Sequence, residues 1–130
     1  MVKLSAERAQ KRLEHWQNIV NSACEQCGRA IIPQVLTPKT LAIWLSANAL
    51  KASTTRILLN PIGAKRLGEL EKPNGEIQLL IGAEGGLSQA EIDLALSQGF
   101  QSVILGPRIL RTETAGLTAI ACLQSLWGDF

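Results

Sequence analysis

A single carboxylate, Glu84, sits inside the glycine loop of LIGAEGGLS (residues 80–88), and two arginines, Arg108 and Arg111, flank a second glycine-containing loop in ILGPRILRTETAGLTAI (residues 104–120). A carboxylate on such backbone can accept hydrogen bonds from ribose or amino groups, or help remove a proton from a reacting nitrogen. Arginine forks match phosphate and carboxylate geometry. Gly82, Gly85, Gly86 and Gly106 lack a Cβ and let a ligand approach the backbone closely. Each loop follows an apolar strand and opens a helix, and two such loops at the carboxyl ends of neighbouring parallel strands make a crevice for a cofactor. Plainer roles compete: the glycines could only make tight turns, Glu84 could cap the following helix, Arg108 and Arg111 could be solvated or paired with Glu113, and Glu113 and Thr114 could cap the last helix. No Walker lysine follows the glycines, which disfavours a phosphate cradle.

Other reactive residues give less. Cys24 and Cys27 form a lone CxxC, but a zinc site wants four ligands and the nearest candidate, His15, lies more than two helical turns upstream. No metal is expected, both cysteines read as helix residues packed in a core, and His15 as a helix-surface residue. Three cysteines, an odd number, with no signal peptide and no apolar run long enough to span a bilayer, suit a reducing cytoplasm and no membrane partner. The net charge of +2 carries no nucleic-acid signal, so any RNA-binding face must come from local clustering of Lys and Arg. At 130 residues, one domain is expected.

The elements that must hold the loops follow from periodicity. Apolar residues at Ala9, Leu13, Trp16, Val20, Cys24 and Cys27 predict a long helix over 6–27, with Ser5 as N-cap and Gly28 as its stop. Residues 31–36 read as a short strand interrupted by Pro33, and a second helix is expected to start at Thr37 and Pro38 and run to Ala47. RILLN (residues 56–60) is a strand, 64–70 a helical turn or two, and Pro73, Asn74 and Gly75 a turn. Residues 77–81 read as a strand buried on both faces, and Ser88 with Glu91 has capping-box spacing for a helix over 89–98 ending at Gly99. A strand over 102–105 and a last helix capped by Thr112 or Thr114 and ending at Gly128 complete an α/β alternation with a parallel sheet.

Together the two glycine motifs, from about Leu4 to Phe130, resemble the 16S ribosomal RNA uracil-N3 methyltransferases of the SPOUT (trefoil-knot) family, although family members usually carry proline at the position of Ala83. The resemblance implies S-adenosylmethionine as cofactor, 16S ribosomal RNA or the small ribosomal subunit as partner, a homodimer, and a carboxyl-terminal knot over about 77–127. It places the adenosine against Leu59, Asn60 and Pro61, the loop Ile81, Gly82, Glu84, Gly85 and Gly86, and Leu105, Gly106, Arg108, Ile109 and Leu110, with Thr114 beside them. Arg111, and Glu84 with it, become the catalytic candidates; Gln26 and Arg29 in QCGR, with Arg108, would face RNA or the dimer partner, and QCGR could equally be an ordinary helix end. Similar enzymes begin with a β-barrel RNA-binding domain and a first strand-helix-strand. Neither is seen in this chain, so the chain reads as shortened at its amino end, and very poor methylation by it alone is expected. The competing expectation is a catalytically incompetent fragment that only dimerises or binds RNA weakly.

Overall fold

A computed structural model describes residues 5–62 and 65–130. The chain forms two compact units, Met1–Thr40 and Leu41–Phe130. Leu4, where the family resemblance begins, and Ala64, where the helical turn was expected to begin, lie outside the described residues.

In the first unit, helix α1 (Ala6–Cys27) has the predicted bounds. The Arg8 N–H donates to Ser5 Oγ at 3.3 Å, and Gly28 ends the helix in the left-handed conformation at φ 76°, which costs glycine nothing. Cys24 is buried. Cys27, expected in a core, is exposed, and its Sγ donates to the Cys24 carbonyl at 3.8 Å. Residues 31–36 form no strand. The Gln17 side chain takes the ladder's place: its Nε2 donates to the Pro33 carbonyl at 3.1 Å and its Oε1 accepts from the Val35 N–H at 2.8 Å. One side-chain amide thus satisfies the backbone groups that a neighbouring strand would otherwise bind.

The second unit holds a four-stranded, all-parallel sheet in the order β2-β4-β1-β3, built from β1 (Thr55–Leu59), β2 (Lys65–Arg66), β3 (Ile77–Leu80) and β4 (Phe100–Ile104). Helices α2 (Leu41–Ala47), α3 (Gln89–Ser97) and α4 (Thr112–Trp127) flank it. Helix α2 starts at Leu41, not at Pro38, and Thr40 occupies the position before the first helical residue, where threonine is favoured. The stretch expected to be helical after residue 64 is β2 followed by a single 3-10 turn, Leu67–Glu69. Strand β3 ends at Leu80 and is half-buried along its length. Continuous burial was expected there, but β3 lies at the sheet edge and, among the described residues, pairs with β1 alone.

Central β1 explains the two cores. Ile57 and Leu58, adjacent and both fully buried, point to opposite faces. Leu58 joins Leu45, Ala95 and Phe100 beneath α2 and α3. Ile57 joins Leu67, Leu70 and Val103, packed by Cys122, Leu123 and Trp127 of α4. Each such aliphatic side chain contributes about 1.5–3 kcal/mol of burial.

At the amino ends of the strands lies a buried cation. Arg56 is 1% exposed. Its Nε donates to Gln78 Oε1 and its Nη1 to the Gln98 carbonyl, each at 2.8 Å, and Nη2 bonds the Asn48 carbonyl. Its guanidinium lies over the Trp44 and Phe100 rings, 5.6 and 5.3 Å from their centroids. The Asn48 and Gln98 carbonyls follow the ends of α2 and α3, where the helix dipole is negative, so two helix termini stand in for a carboxylate.

Candidate active site

The carboxyl ends of the same strands are built from loops. After β1, Asn60 turns the chain: its N–H donates to the Val103 carbonyl at 3.2 Å, its Nδ2 to Ser102 Oγ at 3.4 Å, and its Oδ1 accepts from the Ile62 N–H at 3.3 Å. After β3, the Gly86 N–H donates to the Ala83 carbonyl at 2.8 Å, closing a tight turn in which Gly85 and Gly86 sit at φ 85° and 80°. Gly82 is needed for a different reason. A Cβ there would stand 2.9 Å from the Leu87 nitrogen and 3.0 Å from Gly86 backbone atoms, so the loop could not fold back upon itself. After β4, Gly106 adopts φ 95°.

These three loops and the start of α4 surround one crevice of about 800 Å³, within the size of small-molecule and cofactor sites. Leu59, Asn60 and Pro61 line it from the first loop. Ile81, Gly82, Glu84, Gly85 and Gly86 line it from the second, and Leu105, Gly106, Arg108, Ile109, Leu110 and Arg111 from the third. Thr114 is exposed and outside the lining. Gln26 and Arg29, both exposed, belong to the first compact unit.

The sequence reading missed Ile62, Leu87 and Ile92, which also line the crevice. Ile62 directly follows Pro61 at the end of an apolar strand, and that adjacency was the available signal. Two competing roles fall away. Glu84 does not cap α3, because Ser88 and Glu91 form a reciprocal box: the Ser88 N–H donates to Glu91 Oε2 at 2.8 Å and the Glu91 N–H to Ser88 Oγ at 3.2 Å. Neither Arg108 nor Arg111 pairs with Glu113, since among the described residues the one ion pair joins Lys11 and Glu7.

Helix α4 is not capped by Thr112 or Thr114. Arg111 holds the N-cap position with no side-chain hydrogen bond, and Thr112 and Glu113, the first two helical residues, line the crevice. Early N–H groups of a helix have no intrahelical acceptor. The crevice therefore combines apolar strand ends, glycine backbone, a helix start without a side-chain cap, two arginines and one loop carboxylate. Among the described residues no three His, Cys, Asp or Glu side chains gather as metal ligands, and no helix is long and apolar enough to cross a membrane.

A parallel sheet with a glycine-lined crevice at its carboxyl edge defines an α/β ligand-binding domain. The RNA methyltransferase domain model matches residues 1–124, and the chain belongs to that family. It is 42% identical over 119 residues to a ribosomal RNA small subunit methyltransferase E from Buchnera aphidicola subsp. Schizaphis graminum, covering 92% of this chain and 48% of that protein. The protein of the same name from Synechocystis is 36% identical, with 91% and 40% covered. Among solved structures, a ribosomal RNA small subunit methyltransferase E from Neisseria gonorrhoeae bound to S-adenosyl methionine superposes with a TM-score of 0.90 at 44% identity, covering 100% of this chain and 54% of that one. A putative methyltransferase from Legionella pneumophila in complex with S-adenosylmethionine gives 0.90 at 38% identity, covering 100% and 52%. The chain spans about half the length of the curated relatives it matches.

Proposed function

We propose that the crevice binds S-adenosylmethionine between the loops 82–86 and 106–110, and that the chain is the cofactor-binding part of a methyltransferase acting on uracil N3 of 16S ribosomal RNA. The observation that carries this reading is the convergence of both glycine turns and the Asn60 turn on one crevice of about 800 Å³. It is supported by family membership and by the cofactor bound in the two superposed structures. The residues fit the group. Apolar Leu59, Ile81 and Leu105 suit an adenine face, glycine backbone allows close approach, and Arg108 or Arg111 would meet the cofactor carboxylate or an RNA phosphate.

When bound, the cofactor supplies an electrophilic methyl group on a sulfonium. The chain's own work is alignment and charge dispersal, since an in-line displacement is accelerated chiefly by positioning. Arg111 is the catalytic candidate for orienting the acceptor, and Glu84 is the one acid placed in the loop to receive a proton or a donor hydrogen bond.

Two finer features belong to the same reading. Strand β4 inserts between the earlier β1 and β2, which supports a carboxyl-terminal trefoil knot over 77–127. Leu117 and Ile120 of α4 are 73% and 52% exposed, which supports a homodimer using that helix. Calorimetric titration with S-adenosylmethionine tests the central claim: saturable binding is expected, and none would remove it and favour a fragment that only dimerises or binds RNA weakly. Light scattering showing a monomer at micromolar concentration would remove the dimer.

A further inference from the structure

The lining residues of the crevice cancel in formal charge, Arg108 and Arg111 against Glu84 and Glu113. Edge strand β2 breaks that balance. Its two residues, Lys65 and Arg66, are both exposed and stand in register with Val103 and Ile104, which line the crevice. Strand alternation sends the two side chains to opposite faces, so cations straddle the edge. Neither is in an ion pair among the described residues. The neighbouring Glu69 offsets part of the charge, and its carboxylate is engaged by the Arg66 backbone N–H at 3.2 Å.

On the loop that leaves β1, three residues before Lys65, Ile62 is 77% exposed and lines the crevice. An isoleucine left in water three residues before cations that make no ion pair among the described residues gains nothing from the fold itself. The combination suits single-stranded nucleic acid, whose bases offer apolar faces between regularly spaced phosphates. We propose that Lys65 and Arg66 form an RNA-docking edge, neutralising two backbone phosphates beside the crevice, with Ile62 packed against a base. This rests on the reading of the crevice as the methyl-donor site of an RNA-modifying chain.

The test uses the full chain and 16S ribosomal RNA, with affinity measured between 50 and 200 mM salt. Two phosphate contacts on single-stranded RNA contribute about 1.4 to the slope of log affinity against log salt, so Lys65→Gln/Arg66→Gln should reduce the salt-driven loss over that range roughly sevenfold. Lys51→Gln, ahead of β1 at the opposite end of the strands, controls for net charge and should move the slope much less than Lys65→Gln alone. Ile62→Ser should weaken RNA binding without changing the slope. Titration with S-adenosylmethionine on the same samples separates the two readings. No binding of the donor by the parent chain overturns the cofactor reading. Donor binding retained in the Lys65 and Arg66 variants, with an unchanged slope or no measurable RNA binding by the parent chain, overturns the docking edge alone. Equal competition by polyglutamate for Lys65 and Arg66 would overturn it in favour of an acidic polypeptide.

Discussion

The two ends of the parallel sheet solve opposite problems with the same strands. At the amino ends, Arg56 is 1% exposed and satisfied by Gln78, Gln98 and Asn48, with its guanidinium over the Trp44 and Phe100 rings. At the carboxyl ends, Arg108 and Arg111 are exposed and make no ion pair among the described residues, α4 starts without a side-chain cap, and three glycines hold positive φ. One end uses its cation to close the structure; the other leaves its polar groups for something that is not part of the fold. Stability and binding should therefore separate by position along the strands.

The largest expected effect tests the closed end. Arg56→Leu would leave the Gln98 and Asn48 carbonyls and the Gln78 side chain without their donor, at about 1–3 kcal/mol for each group left buried. Because Gln98 is exposed and water can reach its carbonyl, the total falls in the lower part of the summed range, about 3–5 kcal/mol, and would lower the midpoint of thermal unfolding by about 10–20 °C, read by circular dichroism. A shift of under 3 °C would mean the arginine is not what holds this end together.

The open end should lose binding before it loses stability. Gly82→Val drives a side chain into the backbone of Gly86 and Leu87, so S-adenosylmethionine affinity should fall by about a hundredfold or more, equivalent to about 2.8 kcal/mol. Gly106→Ala meets nothing within 4 Å but must hold φ 95°, a strain of about 1–2 kcal/mol. A smaller, roughly tenfold loss of donor affinity is expected in calorimetry. If the two variants bind equally well, steric return of the loop is not what shapes the crevice. The smallest effect lies where the carboxyl-end loop passes into α3: Ser88→Ala removes half of the box at the loop exit and should cost about 1 kcal/mol of stability, with donor affinity changed by less than threefold.

Legibility in the sequence followed whether a residue's partners were local. Helix α1 was readable to its last residue because Ser5, the apolar spacing and Gly28 act within one or two turns. The Ser88–Glu91 box was equally plain. The 31–36 stretch was misread because its backbone is satisfied by Gln17, 16 and 18 residues away from Pro33 and Val35. Strand β3 was located to within one residue, but its burial was misread because its apolar run matches a central strand, whereas pairing alone puts it at the edge. The crevice was legible in its glycines and arginines. Ile62 carried one local signal, its place directly after Pro61 at a strand end, whereas Lys65 and Arg66 became informative only through their register with β4.

Arg56 also bears on the order in which the molecule assembles. Its acceptors lie 8, 22 and 42 residues away along the chain, so the guanidinium stays hydrated until α2, β3 and the turn before β4 have all arrived. Parallel pairing already requires such long closures and folds slowly. A group satisfied only at the final meeting point stabilises the native state more than the transition state, so its loss should chiefly accelerate unfolding and leave the folding rate nearly unchanged. Arg56 would then serve as a kinetic lock, setting how long the open crevice at the far end of the strands persists between excursions to the unfolded chain.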